Sequence, residues 1–141
     1  MRPLARIALV TGGNRGIGLA TCAELARRGL EVVLTARKKA DALAAAAELS
    51  ARGIAVRPEE LDLASEASVA ACAERLRGAG CAVDVLVNNG AVLFEGGVLD
   101  TPSAEFRTAL DVNLLGALWT TRTFAPGMLA RGYGRIVNVS S

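Results

Sequence analysis

The sequence predicts a doubly wound α/β fold, a parallel sheet in the order 3-2-1-4-5 sandwiched in a three-layer αβα domain. Two patterns predict it. Short β-rich runs, "RIALV", "EVVLT", "GIAVR", "VDVLV" and "GRIVNV", alternate with stretches of helical composition, and such alternation builds parallel βαβ units. The runs are continuously apolar rather than alternating, as strands buried on both faces are. The second pattern is Pro58 beside Glu59 and Glu60. A proline there would damage a central ladder, so the third strand belongs at a sheet edge. Right-handed crossovers then leave strand 3 outermost.

Taken in order, the helical stretches are 17–28, about 39–52, about 66–77 and about 103–125. The first ends "LARRG", with Arg27 and Arg28 before Gly29, and the second ends "LSARG", with Arg52 before Gly53. Cations in a last turn followed by a C′ glycine are helix stops. Ser65 is a candidate cap for the third helix, with Glu66 set favourably against the positive end of its dipole. Thr101 and Pro102 read as a cap followed by proline at the first helical position. On the fourth helix, Phe106, Leu110, Leu114, Ala117 and Leu118 share one side at helical spacing, with Asn113 on or beside that stripe. An amide facing a core needs partners, since an unpaired one costs about 1–3 kcal/mol.

The chain is one domain, 1–141, with no linker and no repeat. At this length folding buries roughly 68–70% of the extended surface, and a hydrophobic fraction of 52% excludes a disordered composition. A net charge of +2 with scattered cations points to neither nucleic acid nor a membrane surface. The apolar run Ile7–Val10 is too short for a signal peptide, and no segment approaches the length of a membrane span. Cys22, Cys72 and Cys81 lack CxxC spacing, and with no histidine in the chain no Cys/His metal site is expected. Three reduced, packed cysteines suit a cytoplasmic protein.

Between the first strand and first helix lies "VTGGNRGIG". A doubly wound sheet offers its crevice to a dinucleotide at that bend. Gly12 can adopt angles forbidden to a side chain, Gly16 leaves room for a pyrophosphate, and Gly18 lets the helix approach the sheet. The helix N-terminal N–H groups then face the phosphates. The spacing is G-x-x-x-G-x-G, neither the GxGxxG fingerprint nor a P-loop.

"TGGNRGIG", "LDL" after strand 3, "NNGA" after strand 4, "DVNLLG" in helix 4 and "GRIVNVSS" at strand 5 occur in this order. As a set they resemble the short-chain dehydrogenase/reductase family, and within it the carbonyl-reductase-like, NADP-preferring members with a Rossmann-like sheet. The resemblance spans Ile7 to Ser141. It implies a coenzyme-binding set of Gly12, Asn14, Arg15, Gly16, Ile17, Gly18, Arg37, Asp62, Leu63, Asn89 and Gly90. NADP is expected rather than NAD. Strand 2 ends "VVLTARKK" without the carboxylate that holds an NAD ribose, and Arg37, Lys38 and Lys39 oppose the dipole of the helix they precede. A solvated basic turn is the plain alternative; the 2′-phosphate of NADP is the anion that would explain it, with Arg15 as a second cation. The resemblance places Asp62 at the adenine amino group with Leu63 beside the ring. It places Asn88 and Asn89 in a turn steadying the central sheet, with Gly90 and Ala91 inverted relative to the family's Asn-Asn-Ala-Gly.

For the chemistry, the resemblance implies that Asn113 holds a water of a proton relay and that Ser141, not Ser140, hydrogen-bonds a substrate carbonyl. The family also uses a Tyr-x-x-x-Lys. Here the one tyrosine, Tyr133, precedes the serine and is followed at the fourth place by Val137, and the only lysines are Lys38 and Lys39. Tyr133 is therefore not the catalytic acid. The chain reads as the N-terminal portion of an NADP-dependent carbonyl/alcohol oxidoreductase, lacking the family's C-terminal strands and helices and inactive alone. The alternative is a degenerate reductase that binds NADP or pairs with another protein without catalysis. A methyltransferase would carry an acidic residue where Arg37 stands. The open edge of strand 5 and the apolar side of helix 4 predict self-association.

Overall fold

A computed structural model describes residues 5–140 of the chain, so Ser141 lies outside the described residues. The apolar runs become strands and the stretches between them helices. β1 (Ile7–Val10), α1 (Gly16–Arg27), β2 (Glu31–Ala36), α2 (Lys39–Ala51), β3 (Arg57–Glu60), α3 (Glu66–Gly78) and β4 (Val83–Asn88) alternate along the chain. Then α4 (Ser103–Leu110), a π-helical segment (Asp111–Leu115) and α5 (Gly116–Ala130) lead into β5 (Arg135–Asn138). The sheet is parallel throughout, in the expected order β3-β2-β1-β4-β5.

Alternate residues of each strand point into opposite layers, which is why the strands read as unbroken apolar runs. Leu9, Val33 and Leu86 pack with Val69, Cys72 and Leu76 of α3 and Phe124 and Met128 of α5. Val10, Leu34 and Val87 pack with Cys22 and Ala23 of α1 and with Ala42, Ala45 and Leu49 of α2. Burial pushes the Cys22 thiol up to about 12 and the Cys72 thiol up to about 11. Both behave as small core hydrophobes.

The helix stops and one cap form as expected. Gly29 and Gly53 follow α1 and α2 with φ of 86° and 75°, and the Ser65 hydroxyl accepts a bond from Ser68 N at 3.1 Å. Three details differ. The third strand is not "GIAVR" but starts at Arg57, because Ile54 N bonds back to Leu49 O at 3.0 Å and closes the exit of α2. Pairing with β2 then runs from Val33↔Arg57 to Ala36↔Glu60, with Pro58 in the edge strand. Thr101 does not cap α4: its hydroxyl donates to Gly97 O at 3.0 Å inside the preceding turn, and Pro102 takes the cap position. The fourth helical stretch is two helices around a π-helical segment, and α5 continues past Pro126 to Ala130.

The stripe of Phe106, Leu110, Leu114 and Leu118 faces solvent rather than the core. The buried line is Val112, Gly116, Thr120, Phe124 and Met128. A side chain at Gly116 would place its Cβ 2.8 Å from Leu63 Cβ, so the helix turns its smallest residue to the loop after β3 and its leucines outward.

Candidate functional site

Three loops meet at the carboxyl ends of β1, β3 and β4, and buried polar groups tie them together. Thr11, just past β1, is 1% exposed. Its hydroxyl accepts from Asn89 N at 3.0 Å and Gly90 N at 2.9 Å, and lies 3.4 Å from Val87 O, to which it donates. Asn89 answers by donating from Nδ2 to Thr11 O at 3.0 Å and Gly12 O at 3.1 Å. Gly13 N donates to Thr35 O at 2.8 Å, and the Thr35 hydroxyl donates to Val10 O at 3.0 Å. The glycine loop is thus held between the ends of β2 and β4 before any ligand arrives.

Two glycines of the first loop are required by close contacts. Gly12 has φ of 60°, and a Cβ on it would stand 2.7 Å from Gly90 Cα. A Cβ on Gly18 would land on the Gly12 carbonyl and on Asn89 Nδ2. Gly18 therefore lets α1 close on its own loop, where the sequence suggested closeness to the sheet. Gly16, by contrast, faces open space, at the first residue of a helix that has no side-chain cap and no acidic residue in its first turn. That is an uncompensated positive end beside an open cradle, suited to a phosphate group. Asn14 is half-buried, and Arg15 and Ile17 are exposed at the mouth.

Gly90 explains "NNGA". A Cβ at that position would stand 2.5 Å from Leu63 Cδ1 and 3.2 Å from Gly12 N, so the glycine sits where the strand-4 turn crosses the other two loops. Leu63 turns inward and is buried against Gly90 and Gly116. Asp62 Oδ1 accepts from Ala64 N at 2.9 Å, and Ser65 N donates to Asp62 O at 3.1 Å, so the carboxylate stands in a tight turn at the rim.

The basic turn after β2 divides into different roles. Lys39 is committed to β3: Nζ donates to Pro58 O at 2.6 Å and lies 3.7 Å from Glu59 Oε2. Arg37 and Arg15 are exposed and make no ion pair or side-chain hydrogen bond among the described residues. Glu59 is buried, which pushes its carboxyl upward, but Arg75, Lys39 and Arg57 outweigh that and hold it below 4.5.

On the other side, Asn113 lies in the π-helical segment. Its Oδ1 accepts from Val92 N at 2.8 Å and its Nδ2 donates to Val92 O at 2.9 Å, gripping the chain just after the strand-4 turn. Asn88 is 7% exposed and joins three elements. It donates to Asn138 Oδ1 at 2.9 Å and Thr121 Oγ1 at 3.4 Å, and accepts from the Thr120 hydroxyl at 2.7 Å. Asn88 was expected to steady the central sheet, whereas Thr11 and Thr120 were not singled out as part of this scaffold. The available signal was a hydroxyl or amide at the end of an apolar strand or on a buried helix face, where a polar group must be paired. Tyr133 sits at the opposite end of the sheet, between α5 and β5, with the Arg6 guanidinium 3.6 Å from its ring centroid. Among the described residues no group of His, Cys, Asp and Glu could hold a metal.

A family model described as short chain dehydrogenase matches residues 6–141. The chain belongs to the short-chain dehydrogenase family. Carbonyl reductase (NADPH) 3 of Homo sapiens is 40% identical over an alignment 144 residues long that covers 100% of this chain and 50% of that protein. The crystal structure of a metagenomic short-chain oxidoreductase in complex with NADP superposes with a TM-score of 0.87 at 38% identity, covering 96% of this chain and 62% of that one. A gluconate 5-dehydrogenase from Burkholderia cenocepacia, in complex with NADP and tartrate, gives 0.88 at 32% identity, over 96% of this chain and 53% of its own. The chain spans about half or less of the curated relatives it matches, 50% of the human reductase and 22% of EphD of Mycobacterium tuberculosis. No helix among the described residues is long and apolar enough to cross a membrane.

Proposed function

We propose that the chain binds NADPH along the carboxyl rim of the sheet and forms the coenzyme half of an oxidoreductase that reduces aldehydes or ketones to alcohols. The observation that carries this reading is the pair Arg15 and Arg37. Both are exposed cations without a protein partner among the described residues, Arg15 at the start of α1 and Arg37 at the end of a β2 that offers no carboxylate there. A 2′-phosphate fits them where a bare ribose would not. The NADP-bound structure and the NADPH carbonyl reductases it resembles support the choice.

In this reading Gly16 and the first turn of α1 take the pyrophosphate, with Gly12, Asn14, Ile17 and Gly18 shaping the loop around it. Asp62, Leu63, Asn89 and Gly90 form the adenosine side. When bound, the coenzyme supplies a hydride to a substrate carbonyl. Asn113 keeps one amide hydrogen and one oxygen lone pair beyond its two bonds to Val92, enough to hold a relay water. Ser141, outside the described residues, is assigned to the carbonyl. Tyr133 stands at the wrong end of the sheet to protonate it, so the proton comes from a group that these 141 residues do not include, and alone they turn over little.

The test is a titration with both coenzymes. NADPH saturates and binds more tightly than NADH. Arg37→Asp weakens NADPH about tenfold or more, the loss of a charge-assisted contact, and leaves NADH within about twofold. Equal losses for the two would overturn the assignment. The position of Tyr133 also favours a second reading, an NADP-binding or interaction protein without catalysis. Turnover by the full-length polypeptide separates the two. Three free cysteines agree with the cytoplasmic location that we assign, and self-association through α4, α5 and β5 completes the proposal.

A further inference from the structure

We propose that Glu60 is a positioning residue that presents Arg37 to the coenzyme and so sets the preference for NADPH; the inference rests on the NADPH reading above. The turn between β2 and α2 is two residues long, Arg37 and Lys38, and one strand holds both of its ends. Before it, Ala36 O accepts from Leu61 N at 2.9 Å. After it, Lys39 N donates to the Glu60 carboxylate at 3.1 Å. Glu60 is itself fixed, since Arg75 of α3 donates to its carbonyl oxygen at 2.7 Å.

This bond does work that the sequence of α2 leaves undone. The cap position is Lys38, whose side chain makes no capping bond, and three consecutive cations stand against the positive end of the helix, offset within its first turn by Asp41 alone. A helix start of this kind frays unless an acceptor comes from elsewhere. Glu60 reaches across from β3 to provide it, a carboxylate on the first helical N–H. Lys39 adds a second fastening through Pro58 O and Glu59, and its ammonium is spent on β3 rather than on a ligand. With Lys39 pinned and Ala36 in the ladder, Arg37 projects from a short bridge with fixed ends. A preformed arginine binds its phosphate without first being ordered, and an apparent dissociation constant rises as the competent population falls.

A charge-only view predicts the opposite sign. A carboxylate near the seat of a 2′-phosphate repels it, so its removal would tighten NADPH. The experiment measures NADPH and NADH dissociation constants for the wild type, Glu60→Ala and Glu60→Gln. Positioning predicts that Glu60→Ala weakens NADPH about fivefold while NADH stays unchanged. Glu60→Gln, which keeps an acceptor for Lys39 N, stays within about twofold of the wild type. Tighter NADPH binding in both variants, an unchanged NADPH constant in Glu60→Ala, or equal weakening of both coenzymes overturns the inference and leaves the function standing. A wild type that saturates with neither coenzyme overturns the NADPH reading itself.

Discussion

At the scale of single residues the site depends on buried hydroxyl and amide groups more than on charge. Thr11 is the clearest case, because one oxygen serves two N–H donors and a carbonyl. Thr11→Val keeps the shape and strands those donors, which costs about 1–3 kcal/mol in urea unfolding. The same variant weakens NADPH through the displaced glycine loop; unchanged stability would show that water replaces the hydroxyl. Glu59 gives a pH signature. Its carboxyl is held below 4.5 by Arg75, Lys39 and Arg57 against the opposing effect of burial. A carboxyl depressed in the folded state stabilises above its unfolded value, and that contribution is lost as pH falls through the folded value. Glu59→Gln therefore flattens the acid limb of stability against pH below about 4.5, and an identical limb in the variant refutes the role. The cysteines separate by burial. Cys22 and Cys72 lie in the core with thiols raised to about 12 and about 11, whereas Cys81 is half-exposed. One thiol of three reacts quickly with a disulfide reagent in the native chain, and the other two only on unfolding.

At the scale of elements, the sheet order and most helix ends were legible in the residues that cause them. Pro58 marks the edge strand, Gly29 and Gly53 mark stops, and Ser65 marks a start, because each acts through local backbone chemistry. The burial of the fourth helical stretch was not legible. Apolar periodicity selects Leu110, Leu114 and Leu118, yet the face on the sheet carries Gly116 and Thr120, chosen for closeness and for the hydroxyl that Asn88 requires. Hydrophobicity measures transfer from water and is silent about how near two backbones must come. The π-helical segment was equally hidden, since its evident product is a contact across 21 positions, the grip of Asn113 on Val92. That grip is testable apart from coenzyme binding. Asn113→Ala removes both bonds to Val92 and speeds hydrogen exchange of the Val92 amide about tenfold or more, while global stability falls by about 1 kcal/mol. Protection of Val92 equal to the wild type would mean that the loop is held by something else.

At the scale of the whole molecule, the apolar surface is unevenly divided. β1, β2 and β4 are covered on both faces, but all four residues of β5 are exposed, Ile136 at 38% and Val137 at 47%. α4, the π-helical segment and α5 add Phe106 at 43%, Leu110 at 56%, Leu114 at 61% and Leu118 at 39% along one side. An apolar helix stripe of this kind and an unpaired strand edge each mark a surface that associates. Both features leave apolar side chains open to solvent among the described residues, so we predict that the 141-residue chain self-associates at tens of micromolar. Sedimentation velocity should show a concentration-dependent increase in mass, reduced in Leu110→Glu/Leu114→Glu. Those side chains make little of the core, so the double variant keeps its unfolding free energy within about 0.5 kcal/mol at each site. Association that persists there belongs to the β5 edge and yields to Val137→Lys, because a charge on an edge strand opposes pairing with a second chain. A wild-type chain that sediments as a monomer across that range refutes the prediction, for it would mean that these leucines tolerate water at no cost to the free chain.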